Sequence, residues 1–469
     1  MLFNSIEFLV FFPSVVLLYF LLPHKLRWFL LLIASYYFYM NWKPVYAVLI
    51  FSSTLITYGC GMLVEKSNSV RRKKLFLIVS LSINFSILFI YKYFNFLNDS
   101  VFKALNFLNI RWELPNLDLL LPVGISFYTF QAVGYTIDVY RGDLKAEKNL
   151  GIYALFVSFF PQLVAGPIER AKNLLPQFRE KHYFDTSRLV SGIKQMVWGF
   201  FMKVVIADRL SLIVNTAYNN ADSHNGTTLL IATVLFSFQI YCDFAGYSNI
   251  AIGASRIMGF DLMTNFRRPY FAKNIGEFWQ RWHISLSTWF RDYLYIPLGG
   301  NRVSKSRNYL NVFITFVVSG IWHGANWTFV FWGFFHGIYN AIQKFFGFDK
   351  IKLKNATISK LLMILFNFSL VSLAWIFFRA NTISDAFSII YKIFTDYGTP
   401  FVDPTTLVFG LFGLGILLLK ELSEEFFSDS NLFFESKNPV ISAFTAALVI
   451  IIILSIGVFD GGQFIYFQF

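Results

Sequence analysis

The apolar positions of this chain form long continuous runs, and most polar positions lie in short segments between them. A helix needs about 20 predominantly apolar residues to cross the hydrocarbon core of a bilayer. Runs of suitable length lie at 5–22, 28–42, 44–64, 74–96, 118–139, 190–208, 228–252, 360–378, 405–420 and 440–459. The pattern predicts an all-α, polytopic integral membrane protein with about eleven transmembrane helices and additional re-entrant or interfacial helices.

Two apolar regions do not have the pattern of simple spans. The run at 149–167 contains two prolines and predicts a broken or re-entrant segment. The run at 309–345 predicts either one bent span or two shorter helices that meet near His323. The longer connections are expected to be loops, at 97–116, 168–189 and 379–404.

The aromatic positions of residues 279–293 follow a helical period. Read as one continuous helix, this segment places seven mostly aromatic residues on one face: Trp279, Trp282, His283, Leu286, Trp289, Phe290 and Tyr293. The other face would carry polar residues: Arg281, Ser285, Thr288 and Asp292. A helix of this type is typical of a membrane interface or of a wet vestibule.

Composition and charge support the membrane class. The chain is 14% charged, whereas soluble domains contain about 25% charged residues. The formal net charge of +13 comes from basic residues between the apolar runs, which predicts orientation in a bilayer and not nucleic-acid binding. The basic clusters at 25–27 and 71–74 are expected on the cytoplasmic side, with the N-terminus outside. Cys60 and Cys242 lie in apolar segments, and we expect no disulfide framework.

Three histidines are the first candidates for chemistry, because an ionisable ring at membrane depth is costly and commonly functional. His323 lies among small residues that leave room for a substrate, and an imidazole is a natural general base for a hydroxyl group. The alternative is a buried histidine that hydrogen-bonds a neighbouring helix. For His283 an interfacial role and a catalytic role are about equally favoured. For His336 a structural role is favoured over a catalytic one. No metal site is expected, because no ligand spacing is evident.

Two further polar positions lie in apolar surroundings. Asp243 must be paired, solvated or protonated within its span, and a role as the structural partner of an Arg or Tyr elsewhere in the bundle is favoured over direct chemistry. Tyr247 follows it in a segment that is too polar to face lipid. The string AGPIER at 165–170 predicts a turn at the membrane surface, and its pair of Glu169 and Arg170 either stabilises that turn or gates a cytoplasmic entrance.

Two strings carry a resemblance to a known family. FWQRWHISLSTWFRDYLYIPLGG is followed about twenty residues later by SGIWHGANWTFVFWGFFHG, and together they resemble the membrane-bound O-acyltransferase (MBOAT) family. The match is to the bacterial branch, whose members O-acylate alginate, peptidoglycan or teichoic acids. MLFNSIEFLVFFP, LPVGISFYTFQAVGYTIDVYRG, LVAGPIER and YCDFAGYSNIAIG also resemble that branch, in the same order.

The resemblance implies one MBOAT domain over residues 1–469, built around a central funnel or tunnel, with a catalytic core at about 118–345 and further helices at about 360–460. It implies that His323 is the general base and His283 the second catalytic histidine. The residues expected to line the substrate tunnel are Trp279, Trp282, Trp322, Asn326, Asp243 and Tyr247. The basic residues expected to bind the donor are Arg267, Arg268, Lys273 and Arg281, with Lys305 as a further candidate.

No permanently bound cofactor is implied. The donor would be acetyl-CoA or an acyl-carrier thioester at the cytoplasmic face of a bacterial inner membrane. The acceptor would be a polysaccharide, reached through a periplasmic acetyltransferase partner of the SGNH type. Transfer of D-alanyl groups or acylation of peptidoglycan remains an alternative within the family. A transporter or flippase is the alternative from another class, although no inverted repeat is visible, and a non-catalytic scaffold would not need His323.

Overall fold

A computed structural model describes residues 1–112, 114–164, 166–347, 356–427, 436 and 438–459. Every regular element in these ranges is a helix, which confirms the all-α prediction. Six of the described helices are long and apolar enough to cross a membrane: Tyr46–Lys66, Val70–Phe107, Gly226–Met258, Ile358–Arg379, Pro404–Phe426 and Pro439–Ile456. The chain is therefore a multi-pass membrane protein, and the total of about eleven spans stays a prediction.

The chain divides into two compact units. This division does not test the prediction of a single domain over residues 1–469. The first unit comprises Met1–Gly192 and Ala251–Met263. Its helices are α1 (Ile6–Leu21), α2 (His24–Met40), α3 (Tyr46–Lys66), α4 (Val70–Leu88), α5 (Phe94–Phe107), α6 (Ile125–Arg141), α7 (Leu150–Ser158), α8 (Phe160–Leu163) and α9 (Ala171–Gln177). A π-helical segment at Phe89–Tyr93 joins α4 to α5. Two helices contribute residues to both units, α10 (Thr186–Phe200) and α12 (Gly226–Met258).

The second unit comprises Ile193–Ile250 and Thr264–Phe469. Its other α-helices are α11 (Asp208–Asn219), α13 (Ile275–Arg281), α14 (Ile284–Phe290), α15 (Lys305–His323), α16 (Trp327–Phe346), α17 (Ala356–Arg379), α18 (Ile383–Thr395), α19 (Pro404–Phe426) and α20 (Pro439–Ile456). It also contains two π-helical segments, Phe201–Ala207 and Arg291–Tyr295, and two 3₁₀ turns, Ala221–Ser223 and Pro269–Phe271.

The segment at 149–167 is broken, as predicted. Phe159 has extended geometry between α7 and α8 (φ −51°, ψ 110°). Pro161 then falls in the first turn of α8, where its missing N–H group costs no helical hydrogen bond. The backbone N–H of Phe160 donates a hydrogen bond to the hydroxyl of Ser35 at 3.1 Å. Whether the segment re-enters on one side of the membrane stays a prediction.

The region at 309–345 consists of two helices, α15 and α16, which meet at Gly324–Asn326. The helices pack closely because glycines face one another: a Cβ atom built on Gly320 would lie 2.3 Å from the Phe329 carbonyl oxygen and 3.2 Å from the Cα of Gly333. This confirms the interpretation as two shorter helices that meet near His323 and places that histidine at the end of α15.

None of the three long connections is entirely a loop: 97–116 contains the end of α5, 168–189 contains α9, and 379–404 contains α18. Helix α18 has 13 residues, too few to span a bilayer. Thr382 accepts from the Asp385 backbone N–H, and the Asp385 carboxylate accepts from the Thr382 N–H, so a capping box begins the helix. A search for long apolar runs overlooks a short amphipathic helix of this kind.

Candidate active site

The residues predicted as one helix at 279–293 form two helices. Helix α13 ends at Arg281, helix α14 begins at Ile284, and His283 between them has left-handed backbone geometry (φ 42°, ψ 53°). The prediction of one continuous aromatic face is therefore wrong. Periodicity could not reveal the break, because the sequence spacing of the aromatic residues is the same whether or not the backbone leaves the helical region at Trp282 (φ −102°, ψ 130°) and His283.

A second stretch of backbone holds the break at His283 in place. The Ile284 N–H donates to the Asn265 carbonyl at 2.9 Å, and the Arg267 N–H donates to the Arg281 carbonyl at 2.9 Å. The Asn265 side-chain oxygen accepts from the Ser285 hydroxyl at 2.9 Å. These bonds replace the helical hydrogen bonds lost at the break. Nothing in the local sequence singled out Asn265, since its partners lie about twenty residues away.

The two predicted catalytic histidines are brought together. The ring centroids of His283 and His323 are 6.5 Å apart. Both rings are buried, with 1% and 3% of their surfaces exposed. The ring of Trp322 packs against both, at 6.3 Å from His283 and 5.1 Å from His323. Two imidazoles separated by forty positions in the chain thus occupy one buried site.

The walls of this site are aromatic. Trp332 and Phe378 pack edge-on to His323, with centroid distances of 4.9 Å and 5.4 Å. Phe244 packs against His283 at 4.5 Å. Burial lowers the pKa of the His283 ring to about 3, because an imidazolium would lose its hydration there. His283 is therefore a neutral ring that can donate one hydrogen bond and accept another.

His336 belongs to the same aromatic cluster. Its Nδ1 accepts a hydrogen bond from the Trp279 indole N–H at 3.3 Å, so the neutral ring carries its proton on Nε2. Within the described residues this Nε2 has no hydrogen-bond partner. Trp332 lies 4.9 Å from both His336 and His323, so it packs between the two rings. His336 is fully buried, as the structural interpretation from sequence requires.

A cavity of about 450 Å³ lies next to this cluster. Its lining residues are Gly276, Trp279, Gln280, Ile284, Leu286, Ser287, Thr288, Phe290, Arg291, Tyr295, Val312, Thr315, Phe316, Ser319, Asn340 and Lys344. Val312, Thr315, Phe316 and Ser319 are one face of α15, because residues three, four and seven positions apart share a helix face. His323 is the next position on that face, one turn beyond Ser319. The cavity therefore extends along α15 in the direction of His323.

Two basic residues line the cavity, and sequence reasoning named neither of them. Lys344 lies with its ammonium group 5.9 Å from the ring centre of Tyr295. Arg291 is 59% exposed at its side chain, and its Nε donates to Asp292 at 2.8 Å. Tyr295 donates to the Asn308 side chain at 2.8 Å near the start of α15. Two basic side chains are thus placed at the mouth of the cavity, near the start of α15, and Asp292 partly balances the charge of Arg291.

Two of the four predicted donor-binding residues are engaged by carboxylates. Arg268 forms ion pairs with Glu424 at 3.2 Å and with Glu425 at 2.8 Å. Arg281 forms ion pairs with Glu277 at 2.6 Å and with Glu425 at 2.9 Å. The positive charge of this pair is therefore balanced within the protein, which the sequence did not reveal because Glu425 lies far along the chain.

The other two predicted donor-binding residues, Arg267 and Lys273, lie in the same stretch. Arg267 is exposed and Lys273 is half-buried. The backbone N–H of Lys273 donates to the Glu277 carboxylate at 3.0 Å. None of the four predicted residues lines the cavity beside α15.

Asp243 lies in a buried ion pair with Lys203, a residue type that the structural interpretation from sequence did not name. Its carboxylate lies 2.6 Å from the Lys203 ammonium group, which also contacts Asp208 at 2.8 Å. The same ammonium lies over the ring of Tyr247 at 5.6 Å. Asp243 and Tyr247 do not line the cavity beside α15.

Of the remaining predicted tunnel residues, Trp279 lines the cavity, and Trp282, Trp322 and Asn326 do not. Trp282 is fully buried, and its ring packs against Trp375 at 5.1 Å. Asn326 caps α16: its side chain accepts from the Thr328 N–H at 3.1 Å and donates to the Asn381 carbonyl at 3.0 Å. These contacts make Asn326 the residue that starts the helix immediately after His323.

The AGPIER turn is only partly described, because Ala165 lies outside the described residues. Glu169 is buried, and its carboxylate accepts the backbone N–H of Met263. Burial raises the pKa of Glu169 to about 7. This contact ties the turn to the chain after α12 and supports a structural role for Glu169.

Within the described part of the chain, no group of three His, Cys, Asp or Glu side chains could hold a metal ion. Cys60 and Cys242 are both buried and free. The candidate site thus consists of two imidazoles, an aromatic wall and the adjacent cavity.

Comparison with known proteins identifies the class of the chain. Residues 149–381 match the model of the membrane-bound O-acyltransferase family. This range includes His283, His323 and all the residues that line the cavity. The chain is 39% identical to the probable alginate O-acetylase AlgI of Pseudomonas aeruginosa over 401 residues, which cover 85% of this chain and 76% of that protein.

Two other relatives carry different names. The peptidoglycan O-acetyltransferase of Helicobacter pylori is 36% identical over 388 residues, which cover 77% of this chain and 72% of that protein. The teichoic acid D-alanyltransferase of Streptococcus thermophilus is 36% identical over 233 residues, which cover 47% of this chain and 56% of that protein. Similarity to the O-acetyl-transferring proteins thus extends over more of the chain.

Proposed function

We propose a donor, a base and an acceptor for this chain, which belongs to the membrane-bound O-acyltransferase family and is therefore an O-acyltransferase. It moves an acetyl group from a cytoplasmic thioester for O-acetylation of an envelope or extracellular polysaccharide. The observation that carries the proposal is the meeting of His283 and His323, whose ring centroids lie 6.5 Å apart in a buried site, with His323 one helical turn beyond the cavity-lining Ser319. Among the relatives, the alginate O-acetylases favour a polysaccharide acceptor.

His323 acts as the general base. Its imidazole takes the proton of the attacking hydroxyl while the hydroxyl oxygen bonds to the thioester carbonyl carbon. The C–S bond then breaks, and the imidazolium returns its proton to the departing sulfur. General-base assistance of this kind contributes roughly 10²–10⁴-fold to the rate. His283, held neutral by burial, donates a hydrogen bond that orients or polarises the acyl carbonyl.

The cavity along α15 supplies the donor route. Val312 and His323 are eleven positions apart on one helix face, a distance of roughly 16 Å at 1.5 Å per residue. A slender thioester arm, as in acetyl-CoA or an acyl-carrier protein, suits this shape. Its phosphate would bind Arg291 and Lys344 at the mouth. Arg267 and Lys273 remain candidates for its approach. The aromatic wall excludes water and so limits hydrolysis of the thioester.

The acceptor side is proposed in outline. The accepting hydroxyl belongs to a polysaccharide, or to a serine of a periplasmic partner of the SGNH type that completes the transfer. In this proposal the protein lies in the bacterial inner membrane, with its N-terminus on the outer side. Acylation of peptidoglycan or transfer of D-alanine is the second candidate, which the names of two relatives favour. A transporter or flippase is disfavoured by the family match.

The test uses membranes that contain the full chain, incubated with acetyl-labelled coenzyme A. Wild type should label an alkali-labile envelope product, and His323→Ala should reduce labelling by at least about 100-fold, as expected for loss of a general base. His283→Ala should cause a smaller loss. His24→Ala is the matched control, because His24 lies on α2, in the first unit, and should retain activity.

Equal labelling by wild type and His323→Ala would remove that histidine from the chemistry. If wild type labels nothing from acetyl-CoA, the same comparison with an acetyl-carrier-protein thioester distinguishes the two donors. Failure with both donors would contradict the proposed acetyl transfer.

A further inference from the structure

A carboxylate on α19 joins the two basic residues nearest to the His283 turn. Glu425 accepts from the Arg268 Nε at 2.8 Å. It also accepts from the Arg281 Nη1 at 3.0 Å and from the Arg281 Nη2 at 2.9 Å. The Arg281 interaction uses both carboxylate oxygens, which is the geometry that fixes orientation most strongly. One acidic side chain thus binds two guanidinium groups simultaneously.

The two arginines lie on the two hydrogen-bonded backbone segments, 265–268 and 281–284, that hold His283 in place. Arg281 precedes the turn by two positions, and its carbonyl accepts the N–H of Arg267. Arg268 is adjacent on the other segment, and its carbonyl accepts from the Arg281 side chain at 3.4 Å. An ion pair to both arginines therefore ties the two backbone segments together.

Each of these two backbone segments contains a strained residue with left-handed geometry. Arg268 has φ 45° and His283 has φ 42°, and among the described residues only Asn109 also has positive φ without being glycine. Left-handed geometry in such residues persists when surrounding contacts hold it in place. The Glu425 side chain is 15% exposed and that of Arg281 19%, so these ion pairs are shielded more than typical surface pairs.

We propose that Glu425 is a positioning residue, which clamps the segments 265–268 and 281–284 and so holds His283 facing His323. The proposal rests on the proposed function of the two histidines. It assigns Arg268 and Arg281 to the clamp and not to donor phosphate. Helix α19 lies beyond residues 149–381 that match the family model, so this support comes from the C-terminal part of the chain.

The clamp predicts a specific kinetic change. Glu425, Arg268 and Arg281 do not line the cavity, so loss of the carboxylate should leave the KM for donor unchanged. The two guanidinium groups would then repel each other, and the His283 ring would lose its orientation. Misplacement of a catalytic group by about 1 Å costs up to about 100-fold in rate. We therefore expect a decrease in kcat of between about tenfold and 100-fold.

The test uses the full chain in lipid nanodiscs with acetyl-CoA as the donor. Glu425→Gln should lower kcat with KM within about twofold of wild type, and Glu425→Asp should recover part of the loss because it restores the charge. Glu424→Gln is the matched control, since Glu424 is the adjacent acid on α19 and contacts Arg268 but not Arg281. It should behave much like wild type.

An unchanged kcat in Glu425→Gln would overturn the clamp. A lower KM for donor at unchanged kcat would also overturn it, because the arginines would then bind donor that Glu425 otherwise displaces. Hydrogen exchange provides a readout independent of activity. The Arg267 and Ile284 amides should exchange at least about tenfold faster in Glu425→Gln than in Glu424→Gln. Equal exchange overturns the clamp.

The two proposals fail in different ways. If wild type transfers no acetyl group, the proposed function fails, and hydrogen exchange alone decides the clamp. If wild type is active and Glu425→Gln does not form a monodisperse particle, Glu425→Asp carries the kinetic test. Its kcat should then lie below that of Glu424→Gln, and equality of the two would contradict the proposal.

Discussion

Individual side chains in this site act through partners that are distant in sequence. Trp279 lines the cavity, and its indole N–H is held by His336, 57 positions away. The His336 ring also packs against Phe316, another cavity residue, at 6.2 Å. His336 therefore stands directly behind the cavity wall, and the shape of the wall depends on a ring that is outside the proposed chemistry.

A prediction at this scale concerns the hydrogen bond between Trp279 and His336. His336→Leu removes the acceptor and leaves a part-buried indole N–H unpaired, which costs at most about 1–3 kcal/mol of stability, the penalty for a fully buried group. It should also raise the KM for donor, because Trp279 is free to reorient. His336→Asn places an acceptor near the Nδ1 position and should cause smaller changes. Thermal unfolding in detergent and donor KM are the measurements.

Trp279→Phe provides the control, since it keeps an aromatic ring and removes the N–H donor. In a double-mutant cycle, Trp279→Phe and His336→Leu should be strongly non-additive, because both remove the same bond. Additive losses would show that the hydrogen bond does not couple the two residues.

Interruptions between helices, more than the helices themselves, shape the site. The break at Phe159 and the junction at Gly324–Asn326 follow from proline, glycine and a capping asparagine, all of which are visible in the sequence. The break at His283 has no such local signal and depends on pairing with Asn265 and Arg267. Helix α15 then carries His323 at its end only because α15 and α16 pack closely through glycines.

A prediction at the scale of helices tests this close packing. Gly320→Ala would place a Cβ atom 2.3 Å from the Phe329 carbonyl oxygen. A backbone atom cannot move away as easily as the end of a flexible side chain. Overpacking of this type costs about 1–3 kcal/mol. The variant should unfold at lower temperature and lose activity, because His323 is three positions away on the same helix. Thermal unfolding and acetyl transfer are measured together.

Gly415→Ala is the matched control on α19. A Cβ atom there meets no heavy atom within 4 Å, so alanine should be neutral or stabilise the helix by about 0.5–1 kcal/mol. Equal effects of the two substitutions would show that the α15–α16 contact tolerates a methyl group.

Charge acts on the molecule as a whole. The formal net charge is +13, and part of it lies on the exposed segment that leads into α15: Arg302, Lys305 and Arg307. Tyr295 connects the cavity wall to the first turn of this helix through Asn308. A negatively charged donor would therefore be attracted over a distance before it contacts Arg291 or Lys344.

A prediction at the scale of the whole molecule is that replacement of Arg302, Lys305 and Arg307 by glutamate raises the KM for acetyl-CoA at low ionic strength. The difference from wild type should shrink near 1 M salt, where the screening length is about 3 Å. Arg71, Arg72 and Lys74 replaced by glutamate are the control, because they form a basic segment of the first unit. Equal effects would indicate a general charge effect and not steering toward the cavity.

The sequence by itself determined the class of protein and most of its helices. Long apolar runs must form helices in a bilayer, since no other backbone arrangement short of a closed barrel satisfies the peptide groups there. His283 and His323 were identified because ionisable groups are rare in such runs and because the surrounding strings resemble a known family. These signals are local, and local signals can be read without a structure.

The tertiary structure decided which residues meet. The left-handed backbone at His283, the carboxylates on Arg268 and Arg281, and the basic pair Arg291 and Lys344 at the cavity all depend on contacts between distant segments. A charge is free or balanced according to its neighbours in space, and composition does not record those neighbours. For this reason the sequence identified the two histidines, whereas the structure located the cavity that leads toward them.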